Sequence, residues 1–192
     1  MKPDEENGNL FPAENRVASI AGLIPQPWKN GRGITRVLLR NAVWRLSIAE
    51  IDREGDFSLF SGMTRHIALV QGNGLVLRAS DGSKVHLGRP GEVFTFSGES
   101  QVSATLADGP VQVVNLMHVS GSAYSLEPVD RTHPPCDILA FIVARGRWEF
   151  QCPSGVKGIC LPGEFMVCNS RTRLALIPDG GDDALLYRII PK

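Results

Sequence analysis

The amino-acid sequence predicts an all-β protein made of two small jelly-roll barrels in tandem. Short apolar or alternating runs recur along the chain and are separated by Gly, Pro, Asn and Asp turn signals. No long segment has the 3.6-residue apolar period of an amphipathic helix. The two halves also repeat one local pattern, and such a repeat is typical of barrels in tandem.

Seven strands are predicted in the first half, and turn signals mark their ends. Gly72-Asn73-Gly74 indicates a hairpin, and Pro90-Gly91 and Asp108-Gly109-Pro110 indicate further turns. The predicted strands cover residues 34–39, 43–51, 67–70, 75–77, 93–96, 102–106 and 111–119.

The second half repeats this rhythm. The run that ends at Gly146 parallels the run that ends at Gly72, and Pro162-Gly163-Glu164 parallels Pro90-Gly91-Glu92 at a similar separation. Coincidence is the alternative, because Pro-Gly-Glu is a common turn. The predicted strands cover 138–144, 148–152, 159–161, 165–168, 173–177 and 184–190. We therefore expect a loose leader at 1–15, one barrel at 16–118 and a second at 119–192.

Composition and charge exclude several classes of function. The 192 residues are 43% hydrophobic and 21% charged, and 20 basic residues balance 20 acidic ones. Such a chain has no electrostatic reason to bind nucleic acid or an anionic membrane. No run approaches the roughly 20 apolar residues that a membrane helix needs. The acidic start is unlike a secretory signal, so we expect a cytoplasmic protein.

Cysteines and histidines give no metal-ligand spacing. The four cysteines form no Cys-x-x-Cys pair and are expected to be free thiols, with a Cys152–Cys160 disulfide across a hairpin as the alternative. The histidines stand alone in the sequence, without a His-x-His pair, at positions 66, 86, 118 and 133. A catalytic metal needs about three converging ligands, so we expect no metal and no cofactor.

Residues 27–36 form the first candidate binding segment. Trp28 supplies a large apolar anchor with one N–H donor. Lys29 and Asn30 are polar and lie next to Gly31, which allows a sharp turn or a close approach to a ligand. The sequence therefore predicts a tight loop that can close over an anion.

Strand residues supply the other candidates. Arg45, Ser47 and Ala49 share one strand face, which suits a barrel lumen with room for a solute, although an exposed face fits the same alternation. Arg65 precedes an apolar run, so we expect it at a barrel rim, where its guanidinium can bind a carboxylate through two hydrogen bonds. Asn115 lies between apolar neighbours and needs a partner, either the barrel's own backbone or a ligand.

Four sequence marks together resemble the HutD/Ves family of cupin-like proteins, which occur beside bacterial histidine-degradation genes. The marks are residues 27–36, residues 44–50, the stretch from Phe57 to Gly62 with Arg65 after it, and Asn115-Leu116-Met117. The resemblance implies a bicupin that tunes histidine utilisation by binding an acidic intermediate, of the urocanate or formylated glutamate type. The expected ligand-binding residues are Trp28, Lys29, Asn30, Thr35, Arg45, Ser47, Phe60, Arg65 and Asn115.

The chain departs from the family pattern at Arg32, Ser61 and Val113. Three other functions stay open. The first is a metal-free cupin enzyme, an isomerase or hydrolase of such an intermediate. The second is a stress-associated Ves-like protein. The third is a structural protein that forms a homodimer through its second barrel.

Overall fold

The structure is a computed structural model, and it describes residues 16–180 and 183–192. The predicted all-β class is confirmed, because apart from the 3₁₀ turn Ile20–Gly22 every described element is a strand. None of the described helices is long and apolar enough to cross a membrane. The predicted leader at 1–15 lies outside the described residues.

Two sheets form most of the first half. The strands are β1 Val17–Ser19, β2 Gln26–Pro27, β3 Gly33–Arg40, β4 Trp44–Ile51, β5 Gly55–Asp56, β6 Met63–Gln71, β7 Leu75–Ala79, β8 Lys84–Leu87, β9 Val93–Ser97, β10 Val102–Leu106 and β11 Val111–Val119. The six-stranded sheet has the order β2-β3-β4-β11-β6-β9, and the four-stranded sheet has the order β5-β10-β7-β8. The strands of both sheets contribute to an apolar core that includes Ile67, Leu69 and Leu77.

One seven-stranded sheet forms the second half. Six of its strands are β12 Tyr124–Val129, β13 His133–Arg145, β14 Trp148–Gln151, β15 Lys157–Cys160, β16 Glu164–Pro178 and β17 Leu185–Pro191. Their order is β12-β17-β13-β16-β14-β15, and β1 from the first half pairs with β16 as the seventh strand. A second apolar core, with Phe141, Trp148 and Phe150 among its members, fills this half.

Strand prediction failed where pairing overrides local polarity. The separate strands predicted at 165–168 and 173–177 are wrong, because β16 runs unbroken through them. Its register against β13 shifts between Ile138 and Ala140, so the polar residues between the two apolar runs are absorbed as a bulge. Strand β12 was not predicted, because Pro128 within it counts against a strand. The strand forms all the same, because it lies at the sheet edge, where a missing N–H is tolerated.

A third apolar core joins the two halves. Leu46, Ile48 and Leu116 from the six-stranded sheet meet Ile142 and Phe165 from the seven-stranded sheet.

Tyr187 adds a polar link across the same interface. Its hydroxyl donates to the carbonyl oxygen of Leu69 and accepts a 2.8 Å hydrogen bond from the N–H of Gly91. Burial raises the pKa of this phenol to about 12, so the group stays a neutral donor. The apolar core and this hydroxyl together connect the halves.

The four cysteines are free thiols, as predicted. The alternative Cys152–Cys160 disulfide is wrong for a geometric reason. Cys160 lies opposite Trp148 at one end of the β14–β15 hairpin, whereas Cys152 donates its backbone N–H to Val156 at the other end. Residues four positions apart along a strand are separated by roughly 13 Å, which no disulfide can span.

Candidate functional site

Three adjacent strands bring the central candidates into one row. In the six-stranded sheet, Met117 of β11 lies opposite Arg45 of β4 on one side and opposite Arg65 of β6 on the other. Neighbouring strands are roughly 5 Å apart, so the two arginines flank the methionine on the same face of the sheet. Asn115 lies two residues along β11 and therefore faces the same way.

Arg65 is buried among aromatic rings. Arg65 is only 7% exposed, so the prediction that it stands at a rim is wrong. The strand begins at Met63, four residues before the predicted apolar run at 67–70, and this places Arg65 inside the sheet. The guanidinium carbon lies 5.2, 5.3 and 4.8 Å from the ring centroids of Phe57, Phe60 and Phe96. Such contacts hold a cation in place without neutralising it.

The charge of Arg65 has no acidic partner in the described part of the chain. Nη1 donates to the carbonyl oxygen of Ser58 at 3.2 Å, and Nε is buried without a hydrogen-bond partner. The described ion pairs involve other arginines. Burial, followed by repulsion from Arg45, lowers the pKa of Arg65 to about 10. Burial likewise lowers the pKa of Arg45, and Arg40 adds to this effect.

The glycine loop covers one side of these residues. The indole N–H of Trp28 donates to the hydroxyl of Thr35 at 2.8 Å, and the Trp28 backbone N–H bonds to the carbonyl of Gly33. Gly31 has φ +66°, a conformation that favours glycine. The predicted tight loop is confirmed, and it places Lys29 and Asn30 at the edge of the site.

The site is a cavity of about 410 Å³. Eight of the nine predicted residues line it: Trp28, Lys29, Asn30, Thr35, Arg45, Phe60, Arg65 and Asn115. Ser47 does not belong to this lining; it is buried on the same strand, opposite Asn115 and Val37. The structure thus brings together residues from β3, β4, β6, β11 and two loops.

Asn115 contributes an acceptor. It is 8% exposed, and its Oδ1 atom is buried with no hydrogen-bond partner among the described residues. A buried amide oxygen without a partner costs about 1–3 kcal/mol. The cavity wall therefore presents two guanidinium groups and a free amide acceptor side by side.

Sequence reasoning missed Phe57, Met117 and Asp56 as lining residues. Phe57 lies in the same sequence mark as Phe60, and Met117 lies in the same mark as Asn115. Their closeness in sequence to these predicted residues could have indicated that they line the site. Arg32, a departure from the family pattern, has a partner of its own. Its Nη1 atom donates to the carbonyl of Glu54, which directs this cation to the neighbouring turn.

Two histidines meet on the other face of the same strands. Nε2 of His66 and Nε2 of His118 are 3.0 Å apart, although the two histidines stand far apart in the sequence. The outer nitrogens contact Thr95 at 2.8 Å and Ser122 at 3.0 Å. Burial, then His118 and Lys192, lower the pKa of His66 to about 4. Within the described residues, no three His, Cys, Asp or Glu side chains converge on a metal position.

Comparison with known sequences identifies relatives. The model of the family called HutD matches residues 22–176. The chain is 42% identical over 99 residues to an uncharacterized 21.2 kDa protein in the hutC 3′ region of Pseudomonas putida, covering 48% of this chain and 52% of that protein. It is 38% identical over 97 residues to protein Ves of Citrobacter koseri, covering 47% and 50%. The chain therefore spans about half the length of the curated relatives it matches.

Solved structures share the fold. HutD from Pseudomonas fluorescens SBW25, in a formate condition, aligns with a TM-score of 0.73 and 27% identity over 92% of this chain and 98% of that one. A conserved protein of unknown function from Pseudomonas aeruginosa PAO1 aligns with a TM-score of 0.80, 24% identity and the same coverage. A cupin 2 conserved barrel domain protein from Leptotrichia buccalis aligns with a TM-score of 0.62 and 13% identity over 94% and 98%. The fold is therefore cupin-like.

Proposed function

Because the chain belongs to the HutD family, we propose that it binds a small carboxylate in the cavity beside Arg65 and thereby tunes histidine utilisation. The observation that carries the proposal is the burial of Arg65 without an acidic partner in the described residues. A buried charge is costly unless it is paired. A ligand carboxylate supplies the missing partner, and a guanidinium suits it because the two groups form parallel hydrogen bonds.

The neighbouring groups narrow the class of ligand. Arg45 lies on the same face and adds a second positive charge. The unpartnered Oδ1 atom of Asn115 favours a ligand that also carries an N–H or O–H donor. The cavity of about 410 Å³ falls in the usual range for small-molecule sites. Urocanate offers an imidazole N–H besides its carboxylate, and a formylated glutamate offers an amide N–H.

The link to histidine utilisation rests on relatives. The Pseudomonas putida relative is named for its position in the hutC 3′ region, and the Pseudomonas fluorescens structure is of HutD itself. Binding without turnover suits a protein that senses the concentration of an intermediate.

We further propose that each half is one cupin-like barrel, with the boundary near residues 118 and 119. Equivalent turns in the two halves support this division. Gly72 and Gly146 have φ of +105° and +74°, and Gly91 and Gly163 have φ of +100° and +80°. Each pair ends equivalent segments of the repeat, so the sequence similarity extends to backbone conformation.

Calorimetric titration of urocanate, N-formylglutamate and formate into variants tests the binding role. Arg65→Ala is expected to lose roughly 2–5 kcal/mol of binding free energy, and Arg65→Lys to recover only part of it, since an ammonium lacks the planar fork. Arg78→Ala is the matched control, because Arg78 is exposed on a strand of the other sheet. Its affinity should equal that of the wild type.

Two further measurements separate the alternatives. The melting temperature of ligand-free Arg65→Ala should stay close to that of the wild type, because the lost ring contacts are offset by removal of a buried charge. NMR spectra of each ligand after incubation should be unchanged, whereas an isomerase or hydrolase would convert it. Unchanged affinity in Arg65→Ala, or a large loss of stability without ligand, contradicts the proposal.

A further inference from the structure

A second cavity lies between the two halves of the chain. It is a cleft of about 780 Å³ lined by residues of both halves. Arg36 and Glu50 enter it from the six-stranded sheet, and Arg145 enters it from the end of β13. Arg36 pairs with Ile48 across β3 and β4 and so projects from the face opposite Arg45. The cleft is therefore separated from the Arg65 cavity by the thickness of a sheet.

Both arginines in this cleft are only partly satisfied. Nη1 of Arg36 binds Glu50, and Nη1 of Arg145 lies 2.7 Å from a carboxylate oxygen of Asp183. The Nε atom of each is buried and has no hydrogen-bond partner in the part of the chain that the structure describes. A buried N–H without an acceptor destabilises a protein by about 1–3 kcal/mol. Two buried donors of this cleft therefore lack an acceptor among the described residues.

The unsatisfied donors indicate what kind of acceptor this is. The lining contains two guanidinium groups, and each already forms one ion pair through Nη1, Arg36 with Glu50 and Arg145 with Asp183. The side-chain amides of Gln71 and Gln112 add further polar groups to the wall. A small oxyanion supplies several acceptor oxygens, and guanidinium N–H groups bind such oxygens strongly.

The position of the cleft follows from the internal repeat. Gln71 precedes Gly72 as Arg145 precedes Gly146, and all but the last of these four residues line the cleft. Pro90 and Pro162, the equivalent turn prolines, line it as well. Equivalent turns of the two halves thus meet across this space, and a ligand bound there contacts both.

We propose that this cleft is a second binding site, which takes a small oxyanion, a carboxylate or a phosphate, between the Nε–H groups of Arg36 and Arg145. The oxyanion accepts one hydrogen bond from each half of the chain. It therefore stabilises the contact between the halves, and its occupancy is independent of the ligand at Arg65.

Titrations of sodium formate and of inorganic phosphate into Arg65→Ala test this proposal, with sodium chloride at matched ionic strength as the blank. The Arg65→Ala background removes the carboxylate site in the other cavity. We expect a saturable rise in melting temperature with at least one of the two probes, and none with chloride. A response to formate alone assigns a carboxylate, a response to phosphate alone assigns a phosphate, and a response to both assigns oxyanions in general.

Lysine substitutions then locate the response. Arg36→Lys and Arg145→Lys keep the charge but remove the Nε–H donor. Each should lower the affinity for the probe about 10-fold, in line with one lost charge-assisted hydrogen bond. Arg147→Lys is the control, because Arg147 lies outside the cleft lining and its Nε already pairs with Asp179 at 2.7 Å. Absence of any saturable response, or a response that survives in both Arg36→Lys and Arg145→Lys, overturns the proposal.

Discussion

The two halves of the chain use related turns and strands for different purposes. The second half is filled by apolar side chains, with Phe141, Trp148 and Phe165 almost completely buried. The first half keeps an unfilled space of about 410 Å³ and places the charge of Arg65 beside it. A half that encloses a cavity gives up part of its own core packing, whereas the second half keeps a continuous apolar core.

The largest expected effect concerns the packed half. Phe141→Ala should lower the free energy of unfolding by about 3–5 kcal/mol, because Phe141 is fully buried and its ring lies 5.8 Å from that of Phe150 in a tilted contact. Carboxylate affinity of the folded variant should not change. Phe60→Ala, which removes a ring beside Arg65, should show the reverse pattern. Denaturant titrations measure the free energy of unfolding, and calorimetry measures the carboxylate affinity. Equal losses of affinity in both variants would contradict the difference between the halves.

A smaller effect is expected at the contact between the halves. Tyr187→Phe removes the hydroxyl that bonds both Leu69 and Gly91, and it should cost about 1–3 kcal/mol of stability. Tyr124→Phe is the control, since Tyr124 is half-buried and packs near the same interface without a comparable hydroxyl bond in the described residues. If the two variants are equally stable, the hydroxyl does not connect the halves energetically.

A third effect, that of pH on stability, should arise at His66. Its pKa falls from the usual 6.5 to about 4 in the folded protein. The unfolded chain therefore takes up a proton that the folded chain does not, and stability should decline as pH decreases from about 6.5 to about 4. Above this window the contribution is complete.

Stability measured across this window in His66→Gln isolates the contribution. The variant should lose this part of the slope, whereas His86→Gln, at an exposed position, should keep it. The same slope in His66→Gln and the wild type would assign the pH dependence to other groups.

Much of the fold and site could be predicted from sequence because the signals are local. Alternation, Gly-Pro turns and the glycine loop depend on neighbouring residues, and the structure confirms the corresponding strands and loop. The burial of Arg65 could not be predicted in this way, because Phe57, Phe60 and Phe96 reach it from separate segments. His66 and His118 are 52 positions apart in the sequence, and the register of β6 against β11 brings them into contact.

The pairing of β1 with β16 has a consequence for how the protein is made. Val17 lies opposite Met166, so nearly the whole chain is synthesised between the two partners. At about 5–20 residues per second, the first strand waits on the order of ten seconds after leaving the ribosome before its place in a sheet exists. The first half can therefore form its own two sheets while this strand is unpaired, and β1 finds its place only once β16, which begins at Glu164, has been made.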